Sequence, residues 1–379
     1  MTLPYNFSPG PAMLPPEVLD QVRADLPEWH WHGVGQGASV MEVSHRGKAF
    51  EALIGEAEQD LRDLLSIPAN YRVIFMQGGA WGQFAAVPMN LLRAGETADY
   101  LVSGGWSKSA VGEASKFGAV NVLASSENDG YTRVPARNEW KSTWTENGAA
   151  APVQPGVQSP SYIYACSNET VYGNEIHSLP RNLPAPLVID ASSHFLSRPM
   201  DVSACGLIYA GAQKNIGPAG LVIVIVREDL LGKALPSTPS VMDFATMAEN
   251  GSMLNTPPTF SIYLAGLIFK HLLAEGGVAA VEAANIAKAR RLYDAIDGSG
   301  GFYCNPVAVD CRSRMNVPFT LADGALDAAF LAAAAERRLE GLKGHKSVGG
   351  MRASIYNAMS LDGVDALVEL MQDFAARRA

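Results

Sequence analysis

Seven short apolar runs recur through the first two thirds of the chain, and most of them are unbroken rather than alternating. They are Val73-Ile74-Phe75-Met76, Tyr100-Leu101-Val102, Val120-Asn121-Val122-Leu123, Tyr162-Ile163-Tyr164-Ala165, Leu187-Val188-Ile189, Leu207-Ile208-Tyr209-Ala210 and Leu221-Val222-Ile223-Val224-Ile225-Val226. A strand that is apolar on both faces needs cover on both faces, which is what helices layered above and below a sheet provide. Stretches of helical length sit between some of them: one follows Gly78-Gly79 to about Leu92, and another runs near 107–116. The pattern predicts an α/β layered domain with a mostly parallel sheet.

Beyond residue 260 the character changes. Helical patterns at 261–274 and 278–296 lead to a strand at 315–321, a long Ala-rich helix at 325–340, a strand at 351–355 and a final helix from Val364. Fewer strands among more helices predict a smaller α+β domain. The expected organisation is an N-terminal segment (1–15) packing near the active site, a large domain (16–260) and a small C-terminal domain (261–379). A length of 379 residues suits that number of units. The low-complexity, Pro-rich stretch Gly148-Ala149-Ala150-Ala151-Pro152-Val153-Gln154-Pro155-Gly156 reads as a surface loop.

Composition narrows the function classes. With 29 basic and 38 acidic side chains the net charge is −9, and no long basic run exists. That argues against a nucleic-acid surface or a polybasic membrane patch. No apolar run approaches the roughly 18 to 20 residues that span a bilayer. The first ten residues lack a basic start followed by an apolar core, so no secretory leader is expected. The cysteines (Cys166, Cys205, Cys304, Cys311) are widely spaced without a CxxC pair, which suits reduced thiols in a cytoplasmic protein. His30-Trp31-His32 has no Cys or carboxylate at ligand spacing, and no metal site is expected.

Three stretches carry chemistry. Tyr209-Ala210-Gly211-Ala212-Gln213-Lys214-Asn215-Ile216-Gly217-Pro218-Ala219-Gly220 ends a strand in small residues around a single lysine. Desolvation there favours a neutral amine, the nucleophilic form for carbonyl chemistry, although most lysines in turns are simply solvated. Leu187-Val188-Ile189-Asp190-Ala191-Ser192-Ser193 puts a carboxylate at a strand's C-terminal end, where open α/β folds bind ligands. Such a carboxylate could keep a pyridinium nitrogen protonated, or could merely cap the next helix. Lys214 follows about one βαβ step later, which strengthens the pair. Gln77-Gly78-Gly79-Ala80-Trp81-Gly82-Gln83 is a glycine-rich strand-to-helix turn able to take a phosphate on its N–H groups, matching neither the dinucleotide nor the Walker pattern. Two further loops, Ser44-His45-Arg46-Gly47-Lys48 and 343–352, combine His, basic residues and glycine. They suit capture of an anionic substrate and equally suit solvated loop charge.

At these residues the chain resembles the phosphoserine aminotransferases, class V, fold-type I pyridoxal-phosphate enzymes. The matching stretches are Phe7-Ser8-Pro9-Gly10-Pro11-Ala12, Met41-Glu42-Val43-Ser44-His45-Arg46-Gly47, Gly82-Gln83-Phe84-Ala85-Ala86-Val87-Pro88, Asn168-Glu169-Thr170, 211–220, Asn255-Thr256-Pro257-Pro258-Thr259 and 345–357. They span nearly the whole chain in order. The resemblance implies a large domain with a mostly parallel seven-stranded sheet and pyridoxal 5'-phosphate as cofactor. It makes Lys214 the Schiff-base lysine and Asp190 the partner of the pyridine nitrogen. Trp106 would stack on the ring and Thr170 would bond its phenolic oxygen. The cofactor phosphate would be held by the backbone of Ala80 and Trp81, by Gln213, and by Asn255 and Thr256 contributed across the interface of an obligate homodimer. Arg352 would take the substrate α-carboxylate, while His45, Arg46, His345 and Lys346 would meet the distal phosphate or the glutamate side chain.

The implied reaction passes the amino group of L-glutamate to 3-phosphohydroxypyruvate, giving 2-oxoglutarate and O-phospho-L-serine. In bacteria the family also acts on a phosphorylated threonine of vitamin B6 synthesis, 4-phosphohydroxy-L-threonine. Two positions depart from the family pattern where substrate phosphate is concerned. Trp81 stands where some members carry arginine, and Lys346 offers a point charge where arginine usually offers a fork. The chain is also longer at 29–37 and near Pro152. An aminotransferase for unphosphorylated serine or alanine is therefore the alternative within the fold. A class V cysteine desulfurase, which would need a mobile catalytic cysteine near the site, is a further alternative, and a non-catalytic binding or regulatory protein that keeps the fold is the alternative from another function class.

Overall fold

All seven apolar runs become strands of one sheet in the computed structural model, which describes residues 4–33, 37–93, 95–141 and 160–378. The strands are β1 (Tyr71–Gly78), β2 (Thr97–Val102), β3 (Ala119–Ser125), β4 (Ile163–Cys166), β5 (Leu187–Asp190), β6 (Leu207–Gly211) and β7 (Gly220–Arg227). Their order is β1-β7-β6-β5-β4-β2-β3, and only β7 runs against its neighbours, with Ile223 facing Phe75 on one side and Ala210 on the other. This is the α/β architecture expected, seven-stranded and mostly parallel. The Pro-rich stretch at 148–156 lies outside the described residues.

The unbroken runs are explained by two separate cores, one on each face of the sheet. In β7, Leu221, Ile223 and Ile225 join one apolar cluster while Val222, Val224 and Val226 join the other. Burial of each such side chain contributes about 1.5–3 kcal/mol, so both faces of the strand are committed. The helices are α1 (Pro16–Asp25), α2 (Lys48–Leu65), α3 (Ala80–Leu91), α4 (Gly105–Ala114), α5 (Phe244–Glu249), α6 (Thr259–Ala274), α7 (Gly277–Asp297), α8 (Asp327–Glu336) and α9 (Leu361–Ala376). α1, α2 and α6 cover the first face; α3, α4 and α5 cover the second. No single helix among the described residues is long and apolar enough to cross a membrane.

A second, three-stranded antiparallel sheet holds β8 (Tyr303–Cys304), β9 (Asn316–Leu321) and β10 (Met351–Ser354), with β9 central. It has its own core, drawn from Ala289 onward together with Phe7. Residue 260, near which the small domain is expected to begin, lies in α6, whose Ile262, Ala265, Ile268 and Leu272 pack in the core of the large sheet.

One expected element is corrected. The Ala-rich helix predicted over 325–340 is helical only over Asp327–Glu336, after a single 3-10 turn. Arg338 adopts a left-handed φ of 58° and ends it, and Leu339–Glu340 then pairs in parallel with Tyr5–Asn6. Leu339 is buried in the small sheet's core, and that burial with the strand pairing outweighs one more helical turn.

α7 ties the small sheet to the segment that follows β10. Lys288 is 3% exposed, and its Nζ donates to the carbonyls of Ile355, Tyr356, Asn357 and Met359 at 2.8–3.4 Å. Burial pushes its ammonium down to about 7. An unfolded lysine titrates near ~10.4, so between these values the unfolded chain holds a proton that the folded chain has lost. Stability contributed by this group therefore rises as pH goes from about 7 to about 10. Denaturant midpoints of the native chain and Lys288→Met should diverge over that window, the native chain gaining with pH; a constant difference would contradict the assignment.

Candidate active site

The C-terminal ends of the parallel strands converge on one cavity of 450 Å³. Asp190 closes β5, and Gln213 and Lys214 follow β6. Trp106 opens α4 just beyond β2, Ala80 and Trp81 open α3 just beyond β1, and Thr170 follows β4. All of these line the cavity, together with His345 and Arg352 from the small sheet's side. Asp190, Thr170 and Arg352 are buried, Lys214 and Gln213 half-buried, and Trp81 and His345 exposed.

Lys214 Nζ donates to Thr170 Oγ1 at 3.1 Å and to the Pro9 carbonyl at 3.2 Å. The N-terminal segment crosses above it at Gly10, where φ is +137° and a Cβ would meet Gln213 and Lys214 at 3.4–3.6 Å. Asp190 sits at the floor, accepting from the Ser192 N–H (2.9 Å) and the Tyr209 hydroxyl (3.2 Å). Burial raises its carboxyl above the ordinary range, and those donors and the Lys214 charge pull the other way. Beneath it, Ser167 Oγ lies 2.5 Å from His194 Nε2 and 3.0 Å from the Asp190 carbonyl, and burial holds His194 down to about 3, uncharged.

Several polar atoms at the cavity are left without partners among the described residues. They include Gln213 Oε1, Trp106 Nε1, Asn168 Oδ1 and Arg352 Nε, all buried. Buried polar groups are normally paired, so such a concentration marks a place built for a ligand. Arg352 makes no ion pair among the described residues, and burial lowers its pKa. Burial also lowers His345, with the Arg352 and Lys346 charges adding to the effect.

These residues fit pyridoxal phosphate. A buried carboxylate on the floor suits a protonated ring nitrogen, and Trp106 offers an aromatic wall. The lysine amine beside the Thr170 hydroxyl suits an aldehyde next to a phenolic oxygen. No side chain caps the N-terminus of α3, and at Gly79 an added Cβ would meet nothing within 4 Å, which leaves an open, N–H-lined end for a phosphate.

The family model for class V aminotransferases matches residues 4–367. The phosphoserine aminotransferase of Aromatoleum aromaticum is 57% identical, with all of both chains covered. The chain belongs to the phosphoserine aminotransferases of class V. Among solved structures, the phosphoserine aminotransferase from Bacillus circulans subsp. alkalophilus is 43% identical over 99% of each chain, with a TM-score of 0.92. Another phosphoserine aminotransferase structure, reporting radiation damage of its Schiff base, is 40% identical over all of both chains, with a TM-score of 0.91.

Not every residue implied by the family resemblance reaches this cavity. His45 and Arg46 lie in the turn before α2, Lys346 is exposed beside His345, and Asn255 and Thr256 are exposed before α6, with the Thr256 carbonyl accepting from Gln77 Nε2 at 2.7 Å. None of the five lines the cavity of its own protomer. Conversely, the cavity includes residues not singled out in the sequence: Pro9, Asn168, Ser192, Ser193 and Cys166. The Cys166 thiol lies 3.5 Å from the Asn168 carbonyl, and burial pushes its pKa well above the ordinary value, so it is no nucleophile. Pro9 and Asn168 lie within matched family stretches; Ser192 and Ser193 follow Asp190 directly and carried no separate signal.

Proposed function

We propose that this chain transfers the amino group of L-glutamate to 3-phosphohydroxypyruvate, giving 2-oxoglutarate and O-phospho-L-serine, with pyridoxal 5'-phosphate as cofactor. The observation that carries the reading is one cavity holding Lys214, a buried Asp190 and an unpaired, buried Arg352. Pyridoxal phosphate, when bound, supplies a ring that delocalises the electron pair left as a substrate α-proton departs. Asp190 holds positive charge at the ring nitrogen. Lys214 Nζ is the amine lining the cavity, and it takes the α-proton and holds it for return. Arg352 has the planar fork that matches a carboxylate, and the missing partner of its buried Nε is what an α-carboxylate supplies. The two half-reactions share one site, so the kinetics are ping-pong.

A homodimer is part of this reading. Asn255, Thr256, His45 and Arg46 stand outside their own protomer's cavity, where a second copy could present them to the partner site. Trp81 and Met41, 56% and 62% exposed, supply apolar surface for such an interface. A cytoplasmic location also belongs to it, in keeping with four free cysteines.

Spectral titration of the cofactor-loaded protein with O-phospho-L-serine, L-serine and L-alanine tests the substrate. Conversion to the pyridoxamine form should need much less phosphoserine than serine or alanine. Equal or better conversion by the unphosphorylated amino acids would mean that Trp81 and Lys346 have changed the substrate.

A further inference from the structure

One wholly buried carboxylate beside the cavity has no role in the reaction described above. Glu169 is 0% exposed and makes no ion pair among the described residues. Its oxygens accept instead from the backbone N–H groups of Trp106 (3.0 Å) and Ser107 (2.8 Å) and from Ser107 Oγ (2.6 Å). Those two N–H groups belong to the first turn of α4, where a helix has unpaired donors and a partial positive charge. The helix's own N-cap residue, Gly104, has no side chain to offer, so the cap comes from a distant strand. The fit is close: a Cβ on Gly104 would fall 2.3–2.5 Å from Glu169 Cδ, Cγ and Oε2. The glutamate's seat therefore requires glycine at position 104.

The location gives the contact its consequence. Glu169 lies between Asn168 and Thr170, both in the cavity wall after β4, while its acceptors bind the turn that carries Trp106, the wall after β2. Asn174, which pairs with Glu169 in a two-residue ladder, donates from Nδ2 to the Ser103 carbonyl just ahead of the same turn. Burial raises the Glu169 carboxyl above its ordinary range, and the three donors oppose that shift. A carboxyl seated in the interior and accepting only from donors of the opposite wall ties the two walls together.

We propose that Glu169 is a positioning residue for cofactor binding: it locks the Thr170 wall to the Trp106 wall at the separation the cofactor ring needs. This rests on the proposed reading that Trp106 and Thr170 contact the cofactor.

The test measures the dissociation constant of pyridoxal phosphate from the apo-protein, by quenching of tryptophan fluorescence, alongside the apo-protein's thermal midpoint. Glu169→Gln keeps the shape but turns an N–H donor toward N–H donors; Gly104→Ala drives the carboxylate out of its seat. Both should raise the dissociation constant roughly tenfold or more, since buried donors lose their acceptor. A purely structural role would lower the apo midpoint and leave the folded protein's affinity within about twofold of the native value, which would overturn the proposal. Should Glu169→Gln fail to fold, Ser107→Ala removes one of the three donors and should give a smaller rise in the same direction; no rise there or in Gly104→Ala would overturn it equally. Trp106→Ala and Thr170→Val separate the two readings. If they weaken binding and Glu169→Gln does not, the positioning role fails alone; if neither weakens it, the cofactor reading of the walls fails with it.

Discussion

Lys214→Ala is expected to lower multiple-turnover transamination by at least about 10⁴-fold, because one amine is removed from both covalent attachment and proton transfer. Among the described residues no second lysine lines the cavity. Lys214 is the lysine that lines the cavity, and its Nζ reaches Thr170 Oγ1 and the Pro9 carbonyl. Folding should be spared, since the side chain is half-buried and makes no ion pair among the described residues. Steady-state rates with glutamate as donor, set beside the thermal midpoint, check both halves. Substantial turnover by the variant would mean that proton transfer is carried elsewhere.

Asp190→Asn should separate stability from activity. The carboxylate is 4% exposed, with the Lys214 charge too weak to offset its burial, and its pKa is raised. A raised folded value means that this group favours the folded state fully below the unfolded value of about 3.9 and loses that contribution as pH rises through the folded value. Once ionised, this carboxylate is a buried charge held at a cost, so Asp190→Asn should leave the apo-protein's midpoint at pH 7 unchanged or higher. The native chain should regain ground relative to the variant as pH falls toward about 4. Turnover, by contrast, should drop about 10²–10³-fold, the scale for removing one preorganised charge from a reacting site. A variant that lost stability at pH 7 and kept its rate would invert both expectations.

Much of this was legible in the sequence because the chain commits whole strands to burial. Leu221 to Val226 reads as one apolar run, and two cores claim its alternate residues. Asp190 and Lys214 were legible as strand-end residues, and strand ends are where this fold opens. The helix α2 lies outside the expected elements, although Phe50, Leu53, Ile54, Ala57, Leu61, Leu64 and Leu65 recur at helical spacing and are buried. The overlong Ala-rich helix shows the opposite limit: helix propensity continues past Glu336, and a pairing with Tyr5, more than 300 residues away in the chain, decides where it stops. Glu169 illustrates what no local pattern carries. Its meaning depends on Gly104 and on the first turn of α4, which only the fold brings to it.

If the cavity at the strand ends is the catalytic centre, Lys214 is its covalent residue. Borohydride reduction of the cofactor-loaded protein, followed by peptide mapping, tests this directly. A single reduced adduct on Lys214 is expected, lost in Lys214→Ala. An adduct on another lysine, the buried Lys288 included, or none on Lys214, would contradict it.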